Sequence, residues 1–228
     1  MSRYFITGTD TGVGKTFISC VLASVWHSEG RKVGVFKPAE TGCIMGSNGL
    51  IADDADRLLA ASGSNQEQRE VCPVRFSSPA APLVAAEAEG TDVNYEDLLR
   101  RASQLSADYD SLIIEGAGGL LVPLSDGKTY LDFVKSLGLP IIVVVGSKLG
   151  CINHALLTLQ ALESHRLKIA GYILNEILES PQETLAHQTH RKIINRFSNT
   201  RDLGHMPFTA DCSSLVELGR RYLDLKAL

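Results

Sequence analysis

Short apolar runs alternate with segments of helical periodicity along the whole chain. Apolar runs of this kind are typical of strands buried on both faces, as in a parallel sheet whose strands are joined by helices. Strands are predicted at residues 4–7, 33–37, 111–115, 140–145 and 170–175, and a short sixth strand leads into Met206 and Pro207. Helices are predicted at residues 16–29, 53–61, 95–106, 131–137, 153–164, 182–197 and 215–225. The glycine- and proline-containing segments 41–52 and 72–82 are predicted to be loops.

The alternation predicts an α/β fold with a mostly parallel sheet flanked by helices on both faces. The 228 residues predict one domain, since chains tend to divide only beyond about 250 residues. In an open parallel sheet, ligands bind beyond the carboxyl ends of the strands. Polar or glycine-rich segments follow the predicted strands at that end, so we expect them to face one cleft.

Residues 8–16 read Gly-Thr-Asp-Thr-Gly-Val-Gly-Lys-Thr and stand between the first predicted strand and the first predicted helix. Their glycines allow backbone N–H groups to surround phosphate oxygens, Lys15 adds a positive charge, and Thr16 offers a hydroxyl to Mg²⁺. The first glycine stands one position earlier than in the usual spacing, so this is a variant of the motif. The segment predicts a P-loop nucleoside triphosphatase.

Three further elements have both a functional and a purely structural interpretation. Glu115 ends an apolar strand and precedes a glycine run, so it is either a metal-binding carboxylate or the polar end of a core strand. Asp54 belongs to an acidic cluster at a helix start, where the helix dipole alone favours carboxylates. Lys37 precedes Pro38 at a strand end and is either a solvated lysine or a charge that stabilises a transferring phosphoryl group.

The charge balance argues against nucleic acid as a partner. The net charge is −4 at pH 7 and the isoelectric point is near 5.9, with no basic stripe. The chain has no basic-then-apolar leader and no apolar run near the roughly 20 residues of a membrane span. These features predict a cytoplasmic protein with no membrane partner.

The cysteines and histidines predict neither disulfides nor a zinc site. The five cysteines are scattered and form no Cys-x-x-Cys pair; they are Cys20, Cys43, Cys72, Cys151 and Cys212. His187 and His190 lie three residues apart on a predicted helix, but no third ligand accompanies them. The histidines are therefore predicted to lie at the surface.

Four motifs together carry a resemblance to a known family. They are residues 8–16; residues 36–38 (Phe-Lys-Pro) with 41–42; residues 115–119 (Glu-Gly-Ala-Gly-Gly) with 122–124; and residues 145–154 (Val-Gly-Ser-Lys-Leu-Gly-Cys-Ile-Asn-His). With these four motifs in this order, the chain resembles the dethiobiotin synthetases. The resemblance covers the whole chain and includes the early first glycine. It implies an ATP- and Mg²⁺-dependent closure of 7,8-diaminononanoate and CO2 to a cyclic urea in biotin synthesis, performed by a homodimer whose substrate site is shared between subunits.

The resemblance also implies residue roles. Catalytic contacts would come from Lys37, Lys15 and Thr11, and Mg²⁺ would be ordered by Thr16, Asp54 and Glu115. The implied nucleotide contacts are Gly12, Val13, Gly14, Lys15, Thr16, Phe17, Asp54, Glu115, Gly116, Ala117, Gly118, Asn175, Glu176, Pro207, Phe208 and Thr209. The implied substrate contacts are Thr41, Gly150, Cys151, Ile152 and Asn153. Asn175 would read the base, and with no acid placed to help it, a broad nucleotide choice is expected.

Two other interpretations share the phosphate-binding motif. The amide-forming ligases of cobyrinic acid synthesis carry a glutaminase domain, for which 228 residues leave no room. Partition and division-site ATPases usually have a lysine shortly before the paired glycines, where this chain has Asp10. A switch ATPase would hydrolyse ATP without the diamine, so the dependence of ATP turnover on the diamine separates these alternatives.

Overall fold

The structure, a computed structural model, describes residues 2–179, 185–210 and 214–228. Its strands, in chain order, are β1 (Ser2–Gly8), β2 (Val33–Phe36), β3 (Ala39–Thr41), β4 (Ile44–Gly46), β5 (Gly49–Ile51), β6 (Val74–Phe76), β7 (Ser111–Gly119), β8 (Pro123–Ser125), β9 (Lys128–Thr129), β10 (Ile141–Ser147), β11 (Ile169–Glu176) and β12 (Asp202–Met206). Its helices are α1 (Lys15–Ser28), α2 (Asp53–Ser62), α3 (Gln68–Val71), α4 (Pro82–Ala88), α5 (Tyr95–Asp108), α6 (Tyr130–Leu137), α7 (Cys151–Ser164), α8 (Leu185–Phe197) and α9 (Leu215–Tyr222), followed by a 3-10 turn at Leu225–Ala227.

The main sheet has six strands in the order β12-β11-β10-β1-β7-β2, and every neighbouring pair is parallel. β2 and β7 lie on one side of β1, and β10, β11 and β12 lie on the other. Strands that follow β1 in the chain are thus added first on one side of β1 and then on the other, so the strand order reverses beside β1. Such a reversal opens a crevice at the carboxyl ends of the strands, and the phosphate-binding loop follows β1 there.

Side chains of the main strands alternate between two apolar layers, one on each face of the sheet. On β7, Leu112 and Ile114 enter one layer and Ile113 enters the other, as the two-residue period of a strand requires. The first layer is covered by α4, α5, α6, α7 and α8, and the second by α1, α2 and α9. The predicted parallel sheet with helices on both faces is confirmed.

Several predicted boundaries were wrong, and those of the strands were wrong because backbone pairing extends or creates strands that composition does not show. β7 continues to Gly119, so Glu115 lies within the strand and not at its end. The predicted loop 41–52 contains the antiparallel β4–β5 pair, and the predicted loop 72–82 contains β6, which pairs with β3. α7 begins at Cys151, two residues before the predicted start, and α9 ends at Tyr222.

Two predictions fall partly on residues that the structure does not describe. The predicted helix 182–197 is seen from Leu185, and residues 182–184 lie outside the described ranges. Cys212 also lies outside them, while Cys20, Cys43, Cys72 and Cys151 are free thiols. No helix within the described ranges is long and apolar enough to cross a membrane.

The prediction that the histidines lie at the surface was wrong for His190. Its side chain on α8 is 2% exposed, and Nδ1 lies 3.1 Å from the Ser147 hydroxyl at the end of β10. The side chain of His187 is outside the described part of the chain. His190 therefore joins α8 to the end of a core strand.

Candidate active site

The phosphate-binding loop runs from the end of β1 to the start of α1. Gly12 and Gly14 have φ values of 74° and 87°, a conformation that glycine adopts without strain. Gly14 is the N-cap of α1, and the N-terminus of a helix offers free N–H groups and a favourable dipole to an anion. The loop therefore has the backbone geometry that the sequence pattern predicted for an anion site.

Gly14 also allows the loop to approach β11 closely. A Cβ atom at this position would lie 2.2 Å from Nδ2 of Asn175, which donates a 2.9 Å hydrogen bond to the carbonyl oxygen of Val13. Asn175 is 3% exposed, and its Oδ1 has no hydrogen-bond partner among the described residues. The amide that was predicted to read the base thus also holds the phosphate-binding loop.

A cluster of charges lies beside this loop, with Lys37 and Glu115 buried and Asp54 partly exposed. The Lys37 ammonium lies 2.7 Å from Oδ2 of Asp54 and 2.6 Å from Oε1 of Glu115. The Thr16 hydroxyl donates a 2.7 Å hydrogen bond to the same Glu115 oxygen. The sequence predicted each of these residues separately, and the structure brings them together from β2, α2, β7 and α1.

Burial and pairing act in opposite directions on Lys37. Its side chain is 3% exposed, and burial alone would lower its pKa. The negative charges of Glu115 and Asp54 outweigh burial and raise the pKa of Lys37, so the lysine keeps its proton. Burial would raise the pKa of Asp54, but Lys37 holds it below its usual value. The interpretation of Lys37 as a solvated surface lysine was wrong.

The oxygen atoms of this cluster suit a divalent cation. Thr16, Asp54 and Glu115 place a hydroxyl and two carboxylates together, and Mg²⁺ prefers oxygen ligands. Oε2 of Glu115 is fully buried and has no hydrogen-bond partner among the described residues, so one acceptor of the cluster is unsatisfied within the chain. The donor set therefore fits Mg²⁺.

Lys15 lies at the start of α1, beside the same cluster. Its ammonium contacts the carbonyl oxygen of Asp10 at 3.3 Å. Burial lowers the pKa of Lys15 to about 8, because little solvent reaches its charge. The Asp10 carboxylate lies 2.9 Å from the ammonium of Lys148 after β10, and this ion pair connects the loop to the start of α7.

The charged cluster opens into a cleft of about 640 Å³. The predicted site residues that line it are Thr11, Gly12, Gly14, Lys15, Thr16, Phe17, Lys37, Thr41, Asp54, Ala117 and Gly118. A smaller adjoining pocket of about 190 Å³ is lined by Gly12, Gly14, Phe17, Asn175, Glu176, Ile177, Pro207, Phe208 and Thr209. Phe17 and the two loop glycines belong to both, so the phosphate-binding loop connects the cleft with the pocket predicted to hold the base.

Not every predicted contact reaches this cleft. The side chain of Val13 is 1% exposed and packs in the core, and Gly116 is buried against Phe5 and Tyr130. The segment from Gly150 to Asn153 is not part of the lining of the cleft within its own chain. Its predicted substrate contact is therefore not seen within one chain.

The sequence pattern missed several residues of the cleft. Pro79, Ala80, Ala81 and Pro82 form a wall, and Arg57 and Glu40 contribute charged groups. Burial raises the pKa of Glu40, and its hydrogen bonds to backbone N–H groups at the start of α2 oppose that shift. Glu40 follows Lys37-Pro38 by two positions, but sequence alone does not show that its carboxylate reaches α2.

Comparison with known proteins finds sequence relatives that match nearly the whole chain. The profile of a family described as an AAA domain matches residues 2–215. The ATP-dependent dethiobiotin synthetase of Anaeromyxobacter dehalogenans is 38% identical over 211 residues, which cover 92% of each chain. That of Yersinia pestis bv. Antiqua is 38% identical over 230 residues, covering 99% of this chain and 95% of the relative.

The fold has relatives at much lower identity. The cell division ATPase MinD of Pyrococcus furiosus superposes with a TM-score of 0.56 and 16% identity, covering 96% of this chain and 98% of that one. At this identity the likeness extends to the P-loop fold alone. The extended sequence identity to the synthetases, together with the variant loop and the buried Lys37 cluster, places the chain in the family of ATP-dependent dethiobiotin synthetases.

Proposed function

We propose that the protein closes a vicinal diamine, 7,8-diaminononanoate, and CO2 to the cyclic urea dethiobiotin with ATP as co-substrate. One amine adds to CO2 and loses a proton, which gives a carbamate. A carbamate oxygen attacks the terminal phosphorus of ATP, and ADP leaves. The second amine then attacks the carbamate carbon, phosphate leaves, the attacking nitrogen loses a proton, and the ring is closed.

The chemistry needs neutralised charge, because an anionic carbamate must approach an anionic triphosphate. Lys15 and Lys37 are proposed to neutralise it, since Lys15 begins α1 at the phosphate-binding loop and Lys37 lines the same cleft. Fixed charges of this kind act mainly by stabilising oxygen charge in the transition state. The hydroxyls of Thr11 and Thr41 line the cleft and are proposed to orient the carbamate.

Mg²⁺ would be held by Thr16, Asp54 and Glu115, and it would neutralise charge on the terminal phosphates. The support is the converging oxygen atoms and the unpartnered buried Oε2 of Glu115. The single observation that carries the proposal is the placement of Lys37, which is buried between two carboxylates and lines a cleft whose other side is the phosphate-binding loop.

The proposed reaction is tested by incubating the protein with 7,8-diaminononanoate, ¹³C-labelled bicarbonate, Mg²⁺ and ATP. Mass spectrometry of the products is expected to find the label in the cyclic urea, in an amount equal to the ADP formed. ATP hydrolysis at the same rate with and without the diamine would contradict the proposal and would favour a switch ATPase.

The first prediction concerns Lys37. Lys37→Gln keeps most of the side-chain length but removes the charge, so turnover at saturating substrate is expected to fall by about two to three decades. ADP binding, measured by calorimetry, should change little, because Lys15 and the loop remain. The matched control is Lys168→Gln at an exposed lysine. A Lys37→Gln enzyme with near-normal turnover would remove Lys37 from the mechanism.

The second prediction concerns the base. Nδ2 of Asn175 donates one of its two N–H groups to Val13, so its other N–H and the acceptor Oδ1 remain for the base. A side chain that offers both a donor and an acceptor suits the amino group of adenine or cytosine and also O6 of guanine. The affinities for ATP, CTP and GTP should therefore lie within about 100-fold of one another, which is about 2.8 kcal/mol.

Competition against a fluorescent ATP analogue measures the nucleotide preference. Asn175→Ala should weaken the binding of all three nucleotides. A preference for ATP over GTP of more than about 100-fold in the unaltered protein would contradict the proposed role of Asn175.

We further propose a homodimer in which the start of α7 completes the substrate site of the partner. Its support is that Gly150 caps a helix of 14 residues, whose N-terminus suits the carboxylate of the diamine. The segment does not contribute to the cleft of its own chain. An exposed Leu149 beside it is consistent with a contact between subunits.

The third prediction is subunit complementation. Lys37→Gln and Asn153→Asp are each expected to be inactive, the second because it sets a negative charge where the carboxylate would bind. If the two positions serve one site from different subunits, each heterodimer contains one intact site. An equal mixture, unfolded and refolded together, should then regain about a quarter of the original activity.

The matched control mixes Lys37→Gln with Glu115→Gln, two changes at partners of one ion pair within the same chain. Every site in that mixture carries one of the two inactivating substitutions, so the mixture should remain inactive. Failure of the first mixture, with dimers confirmed by light scattering, would mean that each site is complete within one chain.

A further inference from the structure

Glu40 caps a helix to which it does not belong. It lies in β3, and Oε1 and Oε2 of its carboxylate each accept a 3.0 Å hydrogen bond, from the backbone N–H of Asp54 and that of Ala55 respectively. Those two N–H groups belong to the first turn of α2, where helices lack internal partners. The side chain is 7% exposed, so this contact is shielded from water.

The start of α2 depends on this contact because it has no cap of its own. The N-cap position is occupied by Ala52, whose methyl group cannot accept a hydrogen bond. A carboxylate at this point also complements the positive end of the helix dipole. Glu40 therefore fixes the first turn of α2 from outside the helix.

One residue of that first turn is Asp54, whose carboxylate is the partner of Lys37. Glu40 holds the backbone of Asp54, and Lys37 holds its side chain at 2.7 Å. Glu40 and Lys37 come from the same short segment of chain, which continues from β2 into β3. The segment thus contacts Asp54 at two points. Because Glu40 fixes the backbone of Asp54, it also limits where the Asp54 carboxylate lies in the cleft.

We propose that Glu40 is a positioning residue that presents Asp54 to the metal, an inference that rests on the proposed role of Asp54 in holding Mg²⁺. Groups that orient a metal ligand typically affect metal affinity by about 10- to 100-fold. Loss of Glu40 would leave Asp54 present but displaced. The expected defect is weak metal binding, with binding of metal-free nucleotide retained.

The test measures Mn²⁺ binding to the protein–ADP complex by electron paramagnetic resonance. Glu40→Ala should weaken Mn²⁺ binding about tenfold, and Glu40→Gln should weaken it less because its amide oxygen keeps one acceptor. The Mg²⁺ concentration for half-maximal turnover should rise by a similar factor. Affinity for ADP without metal should stay within about twofold of the original.

The matched control is Asn94→Ala. Asn94 caps α5 by accepting a 3.0 Å hydrogen bond from the N–H of Asp97, and it is not among the residues lining the cleft. This change should lower thermal stability, as loss of a helix cap does, with no change in Mn²⁺ affinity. If both Glu40 variants behave like Asn94→Ala, Glu40 is only a helix cap and the inference is overturned.

Asp54→Asn separates this inference from the proposed metal site. If Asp54→Asn weakens Mn²⁺ binding and the Glu40 variants do not, the inference about Glu40 fails while the metal site stands. If Asp54→Asn leaves Mn²⁺ binding unchanged, the metal role of Asp54 fails and the inference about Glu40 falls with it. Should Glu40→Ala not fold, as judged by circular dichroism, Glu40→Gln alone decides between these outcomes.

Discussion

The buried ammonium of Lys37 is the constraint on which the site depends. Lys37 and Glu115 are 3% and 0% exposed, and removing such charges from water costs several kcal/mol for each ion unless each is well paired. Lys37 follows β2, Glu115 lies within β7, and Asp54 lies in the first turn of α2, so their pairing requires these three elements to converge. The sheet order satisfies this requirement by placing β2 beside β7.

The same cluster gives the cleft fixed positive charge, which the proposed reaction between two anionic substrates needs. Two lysines and two carboxylates lie close together, so positive charge is already in place while the protein remains near local neutrality. Glu40 and Asn175 then fix the neighbouring elements, one at the start of α2 and one at the phosphate-binding loop. These contacts hold the groups before substrates arrive, which lowers the cost of ordering them during the reaction.

Much of the fold could be predicted from the sequence because the signals are local. The apolar runs, the glycine-rich loop and the helical periodicity each arise within short segments. The β3–β6 and β4–β5 pairs were missed because pairing, and not composition, makes them strands. His190 was misjudged because its partner, Ser147, is 43 residues away. Glu40 had no recognisable motif, since its role is set by a helix that begins 13 positions later.

In the proposed mechanism, a carbamate oxygen attacks the terminal phosphorus of ATP between Lys15 and Lys37. The most direct measurement supplies ¹⁸O-labelled CO2 and follows the released phosphate by ³¹P nuclear magnetic resonance during early turnover, with the remaining CO2 label checked by mass spectrometry. Both carbamate oxygens derive from CO2, so one ¹⁸O atom is expected in each phosphate and one in each cyclic urea. Label in the urea with none in the phosphate would contradict this mechanism, because the ring would then have formed without a carbamate–phosphate anhydride.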